Sequence, residues 1–126
     1  MLLLKSFQIP DQLSNEHFNF KVLGPEFSEV DYEAVISSKE RLRHVFAENS
    51  KWPKTEMSFE ANKKDLARHE KEFHTREAFA YAVLNSAKCH YLGCIYTDPT
   101  DHLDYDCELY LWGKDTKYWM KCFLAL

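Results

Sequence analysis

The run Ala78-Phe79-Ala80-Tyr81-Ala82-Val83-Leu84, then Tyr91-Leu92-Gly93-Cys94-Ile95-Tyr96, then Tyr105 to Trp112, decides the architecture. The first segment carries no interior charge, as expected of a central strand covered on both faces. Asn85-Ser86-Ala87-Lys88 is a short connection, and Asp98-Pro99-Thr100-Asp101 has strong turn chemistry. The third segment alternates strictly. Tyr105, Cys107, Leu109 and Leu111 fall on one face, and Asp106, Glu108, Tyr110 and Trp112 on the other, which reads as the polar face. Links this tight predict an antiparallel meander.

Upstream, Phe18-Asn19-Phe20-Lys21-Val22-Leu23 alternates and stops at Gly24-Pro25, the pattern of a half-buried strand. Ser28-Glu29-Val30-Asp31 has the form of a capping box, with aspartate as the weaker third-position partner. The helix that follows would bury Val30, Ala34, Val35, Leu42, Val45 and Phe46, and fade by about Asn49, ahead of Trp52-Pro53. A second helix should start at Ser58, with Phe59, Leu66 and Phe73 as a narrow apolar seam. Glu60 near its start and Arg76 near its end suit the helix dipole. After Gly113, Asp115 or Thr116 can cap a final helix over 115–126. The order β-α-α-β-β-β-α reads as one α+β domain over residues 1–126, with 1–17 as an N-terminal extension.

Composition narrows the function classes. A chain of 126 residues makes one domain, and 45% hydrophobic residues supply its core. Only three glycines and four prolines argue against disorder and against a turn-rich all-β protein. The net charge of −4, with its basic residues scattered, disfavours a nucleic-acid partner. The apolar start Met1-Leu2-Leu3-Leu4 is too short for a signal peptide, and no later stretch reaches the length of a membrane span. A cytoplasmic location is the expectation. Cys89, Cys94, Cys107 and Cys122 match no common zinc spacing and read as reduced thiols, with Cys94 and Cys107 in strands. His69 and His74 would diverge on a helix, and Cys89 and His90 would point opposite ways in a strand, so no metal is expected.

Several pieces together carry a resemblance. They are Trp52-Pro53, Asn62-x-x-Asp65-Leu66, His69, Arg76-x-Ala78-Phe79-Ala80-Tyr81-Ala82-Val83, Leu92-Gly93-Cys94-Ile95-Tyr96-x-x-Pro99, Glu108 and Leu111-Trp112. Over roughly residues 18 to 120 the chain resembles the GNAT superfamily of N-acetyltransferases. The resemblance implies a GNAT-like mixed sheet flanked by helices, and acetyl-CoA-dependent transfer of an acetyl group to a small-molecule amine by direct attack. It casts Glu108 as the base. Backbone groups of Tyr110, Leu111 and Trp112 would face the pantetheine arm, while Lys114, Thr116 and Lys117 would approach the pyrophosphate. Asn62, Asp65 and His69, with Arg76, would flank the acceptor.

Two departures shape the expectation. The stretch Gly113-Lys114-Asp115-Thr116-Lys117-Tyr118 has one glycine where the family has several, and Asp115 would oppose a phosphate. The sequence also ends at Leu126, before the family's fifth strand and fourth helix. That leaves the predicted fourth strand as an open edge suited to homodimerisation. An inactive GNAT remnant that dimerises or binds a partner is therefore the alternative. Blander readings make Glu108 a solvated strand carboxylate, the helix residues a hydrated rim, and Trp52 an anchor for the loop between helices. A third possibility, an unrelated α+β binding domain, is told apart by strand order: the predicted fourth strand must lie beside the third, with its far edge splayed or borrowed.

Overall fold

The computed structural model describes residues 7–42, 51–53, 57–86 and 90–114. Strands β1 (Gln12–Ser14) and β2 (Phe18–Val22) come first. A 3-10 turn (Pro25–Phe27) leads into helices α1 (Ser28–Ser37), α2 (Lys39–Leu42) and α3 (Phe59–Thr75). Strands β3 (Phe79–Asn85), β4 (Tyr91–Asp98) and β5 (Glu108–Gly113) follow. The sheet order is β1-β2-β3-β4-β5, and every pairing among the described strands is antiparallel. The α+β class and the meander stand as expected, and the predicted fourth strand does lie beside the third. The parallel pairing that would make the sheet mixed does not occur among the described strands. The proposed final helix, 115–126, lies outside the described residues.

β3 is central because it can be: every residue except Tyr81 is buried, and Ala80 and Ala82 let α3 approach closely. The main core joins Leu23, Ala34, Val35, Leu42 and Leu66 to Ala80, Ala82, Cys94 and Trp112. A smaller cluster of Phe18, Val83 and Leu92 is flanked by Phe20 and Ile95. α3 begins as its sequence says, with the Ser58 hydroxyl accepting from the Ala61 amide at 3.1 Å. It ends at Arg76, which takes the left-handed conformation (φ 64°) usually given to glycine.

The structure departs from several of these expectations. Residues 1–17 are not merely an extension, since Gln12–Ser14 forms an edge strand on Asn19–Lys21. The Ser28 capping box does not form. Ser28 Oγ donates to the Pro25 carbonyl at 2.5 Å, because the 3-10 turn already winds the chain, and Asp31 turns inward instead. The first helix breaks at Ser38, and Val30 is exposed rather than part of its stripe; Val45 and Phe46 lie outside the described residues. The last strand starts at Glu108, so Tyr105, Asp106 and Cys107 precede it, and its faces are reversed. Trp112 is 3% exposed, while Leu109 is 68% exposed. The reason is a partner: the indole N–H of Trp112 donates to the Tyr96 hydroxyl at 2.8 Å, which lets so large a ring be buried.

Register between β4 and β5 is held by a glycine pair, Gly93 opposite Gly113. A Cβ at Gly93 would run into the Trp112 carbonyl and come within 2.6 Å of the Gly113 Cα, both rigid backbone. Gly93→Ala should therefore destabilise the chain by about 2 kcal/mol, within the range for overpacking. Chemical denaturation reads this directly; a loss below about 0.5 kcal/mol would show that the strands part without strain.

Candidate functional site

A cleft of about 600 Å³ opens between α3 and the ends of β4 and β5. That is a volume typical of small-molecule sites. α3 contributes Asp65, Arg68, His69 and Glu72 to its wall, β4 contributes Tyr96 and Asp98, and β5 contributes Glu108. Trp52 closes one side, 6.2 Å from Trp112 between ring centroids.

Its floor is a polar knot. Asp31, on α1, is 2% exposed and accepts from Asn62 Nδ2 at 2.7 Å and from the Tyr91 hydroxyl. Tyr91 Oη lies 3.0 Å from Cys94 Sγ. Burial raises the Asp31 carboxyl above the ordinary aspartate range, even though Tyr91, Asn62 and the Cys94 thiol, which donates to it at 3.7 Å, favour its charged form. Burial likewise pushes up the Tyr91 and Tyr96 phenols and the Cys94 thiol, so all three stay protonated at neutral pH. The knot ties α1, α3 and β4 together, and through Tyr96 it reaches Trp112 on β5.

His69 projects from α3 and packs against the Tyr96 ring, 5.2 Å between centroids. Burial, helped by Arg68, lowers its pKa to about 4, so the imidazole is neutral at pH 7. Arg68 is held at 2.8 Å by Glu72 and at 4.0 Å by Asp65. Among the described residues, the rim carries more carboxylate than cation: Asp65, Glu72, Glu77, Asp98 and Glu108 against Arg68.

Two of these carboxylates face each other across the β4–β5 ladder, Asp98 opposite Glu108. They differ in their surroundings. Glu108 is fully exposed and accepts from the Tyr110 hydroxyl at 2.6 Å and from Thr100, and these bonds hold its pKa below the usual glutamate range. Asp98 is half-buried. Burial, then the charges of Glu72 and Glu108, raise its pKa, with Arg68 opposing.

The residues singled out by sequence divide accordingly. Glu108, Asp65 and His69 meet at the cleft. Asn62 also lines it, but its amide is committed to Asp31. Arg76 caps α3 and does not line the cleft. Trp52 does line it, beyond its expected anchoring role. Thr116 and Lys117 lie outside the described residues, and the Lys114 amide donates to the Leu92 carbonyl at 2.7 Å. That bond fixes the parity of the ladder. Tyr110 and Trp112 turn their backbone groups to β4, and Leu109 and Leu111 turn theirs to the outer side, where no other described strand lies. Sequence reasoning missed Asp31, Tyr96 and Asp98. For Asp98 the turn chemistry of Asp98-Pro99 hid a strand end; for Asp31 the capping-box pattern supplied a competing role.

No family model matches the chain, and no curated protein matches it in sequence. Solved structures do match in fold. Ribosomal-protein-S5-alanine acetyltransferase from Vibrio fischeri aligns with a TM-score of 0.62 at 11% identity, over 90% of this chain and 62% of that one. A putative ribosomal-protein-serine acetyltransferase from Vibrio cholerae aligns with a TM-score of 0.63 at 12% identity, over 89% and 59%. Apo FdhC, a nucleotide-linked sugar GNAT, aligns with a TM-score of 0.56 at 10% identity, over 87% and 59%. The fold is the GNAT fold. The chain spans about three-fifths of the length of these GNAT structures. Among the described residues, no helix is long and apolar enough to cross a membrane.

Proposed function

We propose that this chain is an N-acetyltransferase that uses acetyl-CoA to acylate a cationic amine by direct attack, in the cytoplasm. One observation carries the reading: a GNAT fold in which a cleft of small-molecule size is walled by carboxylates. An ammonium group is drawn to such a wall, whereas a nucleotide phosphate is repelled by it. The cleft is therefore the acceptor side, and the cofactor belongs elsewhere on the fold.

The outer backbone edge of β5 suits the cofactor's pantetheine amides, because Leu109 and Leu111 offer ladder groups on that side. Lys114, with Thr116 and Lys117 beyond the described residues, would meet the phosphates. Acetyl-CoA would supply the acetyl group as a thioester. The chain's own contribution is to hold the amine, remove its proton and exclude water. Asp98 and Glu108 are groups of the right kind to take that proton, and the neutral His69 ring, tilted against Tyr96, gives the amine's carbon chain an apolar surface.

Isothermal titration with acetyl-CoA and with CoA tests the reading. Binding in the micromolar range is expected for both, and no heat at millimolar ligand would remove the enzymatic function. A second reading is favoured by the same edge of β5, where Leu109 is 68% exposed: a domain that pairs with a second copy or another partner along that strand. Light scattering after size exclusion separates the two, since edge pairing requires a dimer or complex and catalysis does not.

A further inference from the structure

We propose that Asp98, at the end of β4, is the group that accepts the amine's proton, with Glu108 holding the amine beside it. The inference rests on the acetyltransferase reading above and deepens it. Glu108 and Asp98 stand opposite each other on neighbouring strands, both on the cleft, so an ammonium placed between them reaches either carboxylate.

Their hydrogen bonds tell them apart. Glu108 accepts from two hydroxyls, Tyr110 and Thr100. Those donors stabilise its negative charge and make it a weaker base. Among the described residues no side-chain donor bonds to the Asp98 carboxylate, which can therefore accept from a substrate N–H. It is also the more deeply set of the pair, Asp98 being half-buried and Glu108 exposed. The charged groups around it are Glu72 and Arg68 from α3 and Glu108 from β5, with Glu77 nearby on the cleft wall; His69 is neutral. Arg68 is shared with Glu72 and Asp65, so the balance around Asp98 is negative and favours its taking up a proton.

One ammonium proton passes to the Asp98 carboxylate, and the freed nitrogen lone pair attacks the thioester carbonyl carbon. The C–N bond forms as the C–S bond breaks. The thiolate leaves and is neutralised by the second amine proton, and Asp98 later returns its proton to solvent.

Asp98→Asn and Glu108→Gln, made in the full chain, separate the roles. With a diamine acceptor, Asp98→Asn is expected to lower kcat about 100-fold and to abolish the acidic limb of the kcat/KM profile, the contribution usual for a positioned base. Glu108→Gln should act mainly on KM, raising it several-fold. A readout independent of turnover is the carboxyl carbon shift of Asp98 in the protein alone. Its midpoint should fall in Glu108→Gln, because a like charge has been removed. Retained kcat in Asp98→Asn, loss of kcat confined to Glu108→Gln, or an Asp98 midpoint indifferent to Glu108 would each overturn the assignment. If acetyl-CoA fails to bind at all, the acetyltransferase reading falls and takes this one with it; binding accompanied by any of those three results sinks the Asp98 role alone.

Discussion

Asp31→Ala is expected to destabilise the chain by about 4 kcal/mol, and Asp31→Asn by less than about 1 kcal/mol. The difference follows from what the carboxylate does. In the alanine variant the buried Asn62 amide loses its acceptor outright and the Tyr91 hydroxyl keeps only the weaker Cys94 sulfur, and each buried donor left unmade costs about 1–3 kcal/mol. A small void adds to that. Asparagine keeps the shape and one acceptor oxygen for Asn62. Its amide can donate to Tyr91, whose proton then turns to Cys94, 3.0 Å away. It also removes the burden of a buried charge, which is the burden that raises the Asp31 pKa. Urea denaturation of the two variants decides the matter. Equal losses, or an alanine variant within about 1 kcal/mol of wild type, would mean that the knot is not a stabilising unit.

Acid should weaken the fold through His69, by about 3 kcal/mol between pH 7 and pH 4. An unfolded histidine protonates near 6.5, whereas His69 in its site resists protonation down to about 4. Between those values the unfolded chain binds the extra proton, so stability falls as pH falls. Above 6.5 both states are neutral and the penalty is absent; below 4 both are charged and it grows no further. Asp31 and Asp98 act in the opposite sense, because their raised pKa values let the folded chain take up protons first. Comparison with His69→Phe, which keeps a ring against Tyr96, cancels those contributions. The gap between wild type and variant should close by about 3 kcal/mol in the variant's favour as the pH drops. A gap that does not change with pH would show that the imidazole is already solvated.

Most of the sheet was legible because its signals are local. The uncharged run at β3, the turn residues around β4 and the alternation of β2 each need only a few neighbours to read. The faces of β5 were not legible, because alternation separates two sets of residues without saying which set is inside. Leu109 and Leu111 look like the inner set until the Tyr96 hydroxyl is known to await the Trp112 indole. Asp31 was misread for a similar reason. Its position three residues after Ser28 fits a cap, and only the folded chain brings Tyr91 and Asn62 to it, from 60 and 31 residues away. The cleft was half legible. Glu108, Asp65 and His69 were found through the family pattern, but Asp98 and Tyr96 become site residues only when β4 is laid beside α3.

Phe59, Asn62, Leu66, His69 and Phe73 follow helical spacing, so two polar side chains interrupt what would otherwise be a plain greasy seam. A purely apolar seam could slip along the sheet by a turn with little loss. Here such a slide would strand the Asn62 amide away from Asp31 and lift His69 off its aromatic neighbour. The helix is thus keyed to one seat, as a single buried asparagine keys the alignment of paired helices, and the groove beside it inherits that fixed geometry.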